Sequence, residues 1–83
     1  VDAVVVGEGL RWAVDVKTGN VTAQDLGGLF LFCQRFPEFA PLVVVADEAS
    51  VEVVLRAGAT ARTWRDVLLT GLPPTHTRAF FDR

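Results

Sequence analysis

The chain of 83 residues predicts an α/β fold, a mixed sheet in which an N-terminal β-hairpin is followed by a βαβαβ run. Three observations carry that expectation. Asp2-Ala-Val-Val-Val6 and Leu10–Lys17 are short, β-branched or apolar runs separated by Gly7-Glu8-Gly9, which is the pattern of a hairpin. Leu42-Val-Val-Val-Ala46 is apolar without alternation, as in a parallel strand buried on both faces. Segments of helical spacing, bounded by capping residues and by Gly or Pro, alternate with these runs.

In the hairpin, period-two alternation puts Arg11, Ala13, Asp15 and Lys17 on one face and Leu10, Trp12, Val14 and Val16 on the other. An even loop, Glu8-Gly9, pairs Asp2 with Asp15, Val4 with Ala13 and Val6 with Arg11. A three-residue loop pairs Asp2 with Val14 and sends it to the opposite face. The even loop is favoured, because two-residue turns are the commonest connection and Gly9 tolerates positive φ. Thr22 can cap a helix with Asp25 at its third position, and Leu26, Leu29, Phe30, Cys33 and Phe36 recur at helical spacing until Pro37. After a turn at Pro37–Pro41 and the buried strand, residues 50–57 form a short helix ended by Gly58, with a strand as the alternative because of its valines. Residues 59–63 form an edge strand, and Thr63 caps a last helix, Trp64–Thr70, closed by Gly71 and Pro73-Pro74. One domain therefore covers residues 1–72, and residues 73–83 are expected to be a weakly ordered tail.

Lys17 is the only lysine; the other seven basic residues are arginine. Lysine is a compact ammonium, where arginine is a planar fork. On one strand face an acid and an amine project side by side, and the even loop adds Asp2. Opposed Cβ atoms lie about 4.5–5.5 Å apart, so two carboxylates there want a cation. Mg²⁺ or Mn²⁺ suits an all-oxygen site, with one or two carboxylates plus water and phosphate. Lys17 would then assist an attacking water or neutralise charge on phosphorus. The competing reading is a solvated sheet face with a surface salt bridge.

Val1-Asp2, the hairpin, Asp15-Val16-Lys17, the amphipathic helix and the buried strand together resemble the PD-(D/E)xK nuclease superfamily, with its restriction-endonuclease-like fold. The phrases Trp12-Ala-Val-Asp-Val-Lys-Thr-Gly19, Asp25-Leu-Gly-Gly-Leu29 and Phe36-Pro37 are similar to uncharacterised domains at the C-terminus of AAA-type ATPases. The resemblance spans residues 1–46. It implies Asp2, Asp15 and Lys17 as catalytic residues, Asp2 and Asp15 as metal ligands for Mg or Mn, and hydrolysis of nucleic-acid phosphodiesters, DNA before RNA. Val1 stands where proline is usual. The superfamily often completes its metal site with an acid from a preceding helix, so the chain is expected to be a core lacking its first helix and strand. The alternative is a non-catalytic docking or assembly module attached to an ATPase.

Other features carry less. Gln24, in the first turn after Lys17, is a candidate substrate contact beside the plainer reading of a solvated helix start. Gly27-Gly28 suggests close helix–sheet packing. Gly7-Glu8-Gly9 lacks the third glycine and following helix of a dinucleotide loop. His76 has no neighbouring Cys or His and reads as a surface residue. Arg56, Arg62 and Arg65 could line a phosphate path, yet a net charge of −2 gives this piece no basic footprint, and nucleic-acid binding by it alone should be weak. Cys33 is the single cysteine, expected to be an inert thiol in a reducing, cytoplasmic setting. Leu29–Cys33 is too short to span a bilayer and no leader precedes it. The absence of methionine suggests a piece of a longer product, whose upstream region or ATPase domain would be a partner. With right-handed crossovers the first two helices share a face. The opposite face and the Asp2 strand are then expected to lie open, which favours a homodimer.

Overall fold

The computed structural model describes residues 1–75. Strands β1 (Ala3–Gly7) and β2 (Leu10–Lys17) form the hairpin, followed by a 3₁₀ turn (Ala23–Leu26), helix α1 (Gly27–Arg35), strand β3 (Ala40–Val45), helix α2 (Glu48–Ala57), strand β4 (Thr60–Thr63) and helix α3 (Trp64–Thr70). The four strands lie in sequence order, β1 antiparallel to β2 and β2, β3 and β4 mutually parallel. This is the mixed α/β architecture read from the sequence.

The hairpin register is that of the even loop. Gly7 faces Leu10, Val6 faces Arg11 and Val4 faces Ala13. Gly9, at φ 75°, supplies the left-handed residue of the turn. The alternation of β2 then divides the core. Ala13 joins Val43, Val45 and Ala61 beneath Leu26, Leu29 and Val54, so α1 and α2 cover one face of the sheet. Trp12, Val14, Leu42 and Val44 form the other layer, against Val67 of α3 and Leu72. Leu26, Leu29, Leu42, Val43, Val45 and Val54 are fully buried, each stabilising the fold by about 1.5–3 kcal/mol.

Helix ends follow their capping chemistry. Asp25 accepts the Thr22 N–H at 2.8 Å, and Thr63 accepts the Asp66 N–H at 3.1 Å. Helix α2 starts earlier than residue 50, because Asp47 is the cap and its carboxylate accepts the Ser50 N–H at 2.9 Å. Gly58, at φ 104°, closes it. Arg35 is the last residue of α1, two before Pro37.

Three expectations are corrected. Gly27-Gly28 does not pack closely on the sheet: both glycines are exposed, and a Cβ on either would meet open space. The sheet face opposite α1 and α2 is not left open, since Trp12, Val14, Leu42 and Val44 are at most 7% exposed. The cover is α3 with the segment after it, which also corrects the expected weak order of residues 73–75. The Trp12 indole donates to the Pro73 carbonyl at 2.7 Å, the Thr75 N–H donates to the Gly9 carbonyl at 2.7 Å, and Thr75 Oγ1 accepts the Arg11 N–H at 2.6 Å. Those partners lie on the hairpin, far away in sequence, so no local pattern announced them. His76 and the rest of the tail lie outside the described residues.

Candidate functional site

β2 and the end of β1 bring the predicted residues to one corner of the sheet. Asp15 points to the α1 side with Ala13 and is 5% exposed among apolar neighbours. Lys17 stands on the same face at the end of β2, opposite Val45 of β3, and its Nζ lies 3.7 Å from Asp15 Oδ2. The Lys17 ammonium beside this buried carboxylate lets a charge sit on a core-facing position.

Asp2 reaches the same corner by another route than simple cross-strand pairing. The ladder ends at Ala3 opposite Val14, and the Asp2 N–H turns back to the Val14 carbonyl at 2.8 Å. Its Oδ2 accepts the Val16 N–H at 2.7 Å. The even residues of β2 direct their N–H groups toward β1, and at Val16 that strand has run out. The Asp2 carboxylate stands in for the missing carbonyl, as a backbone donor at a strand end wants a partner. Asp2 and Asp15 thus lie one on each side of the Val16 amide, Asp2 at the sheet edge and Asp15 on the covered face.

Around this corner, the chain leaves β2 through Thr18-Gly19-Asn20 and re-enters the core at Val21, which is 7% exposed. The Asp25 carboxyl is held below its ordinary range, chiefly by the hydrogen bonds from Thr22 and also by the Lys17 charge. Asp25 is thus an acid within electrostatic reach of Lys17 that the sequence marked only as a cap. Burial pushes the Cys33 thiol up, and the Asp15 charge pushes it further, so this α1 thiol, packed against the core, stays protonated. Gln24 is exposed in the 3₁₀ turn, and no side-chain hydrogen bond joins it to Asp15 or Lys17 among the described residues. Arg56 is in an i,i+4 pair with Glu52 on α2, and Arg62 and Arg65 belong to β4 and α3, so the three arginines do not converge on this corner.

The donor set is all oxygen, which suits Mg²⁺ or Mn²⁺, and its count meets the habit of Mg²⁺ to take one or two carboxylates with water and phosphate. Among the described residues no group of three or more His, Cys, Asp or Glu side chains gathers to hold a metal. A cation at this corner would have to draw on Asp15 and on the Asp2 oxygen that does not accept the Val16 N–H. Comparison with protein-family models, curated proteins and solved structures finds no match for the chain. No helix among the described residues is long and apolar enough to cross a membrane.

Proposed function

We propose that the chain is a metal-dependent nuclease-like domain that hydrolyses nucleic-acid phosphodiesters, DNA before RNA, with Asp2, Asp15 and Lys17 as its working residues. The observation that carries this reading is Asp15, a carboxylate at 5% exposure on a sheet face otherwise lined by Ala13, Val43 and Val45. A buried ion pair is a weak stabilising device compared with apolar side chains of similar size, so its presence there asks for a chemical reason. Lys17, as the only lysine and the partner of Asp15, supplies one. Its resemblance to PD-(D/E)xK nucleases gives the same residues the same roles.

Asp15 and Asp2 would hold Mg²⁺ or Mn²⁺, which when bound supplies positive charge against the phosphoryl oxygens. Lys17, with its side chain about one-third exposed (32%), can reach solvent and orient or deprotonate an attacking water. The Asp15 carboxylate fixes the direction of that ammonium. A net charge of −2 means that phosphate affinity must come from the cation and from any attached domain. The single Cys33 fits a reducing cytoplasm.

A second reading is a nuclease-fold docking module, non-catalytic and attached to an ATPase. It is favoured by the engagement of Asp2 with the Val16 N–H and by the Lys17 ammonium that already partners Asp15. Calorimetric titration with Mg²⁺ and Mn²⁺, together with cleavage of single- and double-stranded DNA and RNA, separates the two. Saturable binding that is lost in Asp15→Asn, with cleavage lost in both Asp15→Asn and Lys17→Ala, supports the enzyme. No binding and no cleavage, by this chain or by any longer protein that contains it, leaves the docking module.

A further inference from the structure

Helix α3 carries its large apolar side chains outward. Val67 alone among them packs against the Trp12 layer, while Trp64, Leu68 and Leu69 are 53%, 74% and 70% exposed. A surface helix ordinarily turns such residues to the core and charges to water. At about 100° per residue, Trp64 and Leu68 form one ridge that flanks Val67, and Arg65 and Leu69 form the next, on the side of the helix away from Val67. Trp64 and Leu68, one turn apart, with Leu69 on the next ridge, leave large apolar side chains over the outer surface of this helix, the kind of exposure that marks interaction sites.

An open groove of about 460 Å³ adjoins this helix, running between the starts of α2 and α3. Ala46 and Leu69 give it apolar walls, and Asp47, Glu48 and Asp66 are on its lining against the single cation Arg65. Glu48, Asp66 and Arg65 are in no ion pair among the described residues. We propose that the outward face of α3 and this groove form a docking site for a basic amphipathic helix of another protein, its apolar side chains on Trp64, Leu68 and Leu69 and its Lys or Arg residues over the acidic lining. The charge decides the occupant. A second copy related by a two-fold axis would bring one acidic lining against another, whereas a basic segment is complementary. Helix α3 lies on the sheet face opposite Asp15, the groove lies beyond the ends of β3 and β4 where α2 and α3 begin, and the proposal does not depend on the nuclease reading.

The test uses the full chain, ¹⁵N-labelled, titrated with a synthetic amphipathic Leu–Lys helix and with a Leu–Glu helix of the same apolar pattern. The expected result is saturable shifts of the amides of residues 47–48 and 64–69 with the Leu–Lys helix and none with the Leu–Glu helix. Leu68→Ser with Leu69→Ser should weaken binding at least tenfold with an unchanged spectrum elsewhere, and Asp15→Asn should leave binding as it was. Shifts that fall on other surfaces, or that survive the two serines, overturn the proposal. So does a peptide-free protein in which sedimentation shows an α3-dependent dimer, or in which residues 76–83 already contact Leu68 and Leu69.

Discussion

At the residue scale, the proposed chemistry centres on Asp15, a buried carboxylate partnered by Lys17. Lys17 keeps access to water, so removing the Asp15 charge leaves no stranded buried cation. Asp15→Asn should then change stability by no more than about 1 kcal/mol in a denaturant titration, while abolishing metal binding and cleavage if the domain is an enzyme. Under the same nuclease reading, Lys17→Ala should leave metal affinity intact or tighter and lower the cleavage rate by about two to four orders of magnitude. Cys33 reports on the same corner. Its thiol is raised first by burial and then by the Asp15 carboxylate, so alkylation at pH 8 should be slower than for a free thiol and should accelerate as the pH rises. Asp15→Asn should speed it only in part, since burial remains. An alkylation rate equal to that of a small thiol would contradict the packing of Cys33 against the core.

At the scale of elements, stability hangs on helix ends and on a few backbone positions. Thr63→Ala removes the acceptor for the Asp66 N–H and should cost about 1 kcal/mol by thermal or urea unfolding. Gly28→Ala should do the reverse, adding about 0.5–1 kcal/mol, because the residue is helical, exposed and faces open space. Gly58→Ala has space too, but φ of 104° makes it destabilising by about 1 kcal/mol or more. Asp25 and Asp47 both have lowered carboxyl pKa values because each accepts backbone hydrogen bonds at a helix start. A depressed folded-state pKa gives stability that is full above the ordinary aspartate value, about 3.9, and lost as the pH falls through the lowered one. Unfolding followed between pH 5 and 2 should therefore show a loss that Asp25→Asn and Asp47→Asn each reduce.

For the whole molecule, the decisive contact is made by the C-terminal segment on the hairpin. Ending the chain at Leu72 would remove the acceptor of the Trp12 indole and the Thr75 bonds to Gly9 and Arg11. An unsatisfied buried donor costs about 1–3 kcal/mol, and in a domain this size 1 kcal/mol shifts Tm by about 4–8 °C. The shortened chain should melt at least 4 °C lower, with red-shifted tryptophan emission; an unchanged Tm would show that the cover contributes nothing. The outer edge of β1 is also open among the described residues, with Val4 and Val6 at 48% and 58% exposure and no charge or proline between Ala3 and Gly7. Such an edge templates further strand pairing. If a homodimer forms there, sedimentation should detect it at moderate concentration and Val6→Lys should dissolve it without loss of secondary structure.

Local chemistry determined much of this protein in advance. Two-residue periodicity sorted β2 into a Trp12 face and an Asp15 face, Gly9 set the even register, the apolar run Leu42–Val45 marked the central strand, and Thr22, Thr63, Gly58 and Pro37 marked helix ends. Each of these is decided by residues within a few positions of one another, where steric and hydrogen-bonding rules act directly. Tertiary structure alone decided that Asp2 would cap the Val16 N–H, that Gly27-Gly28 would face open space, and that Pro73 and Thr75 would close over the hairpin. Those outcomes depend on where a strand runs out and which donors are left unpaired, quantities fixed only once distant segments have been brought together.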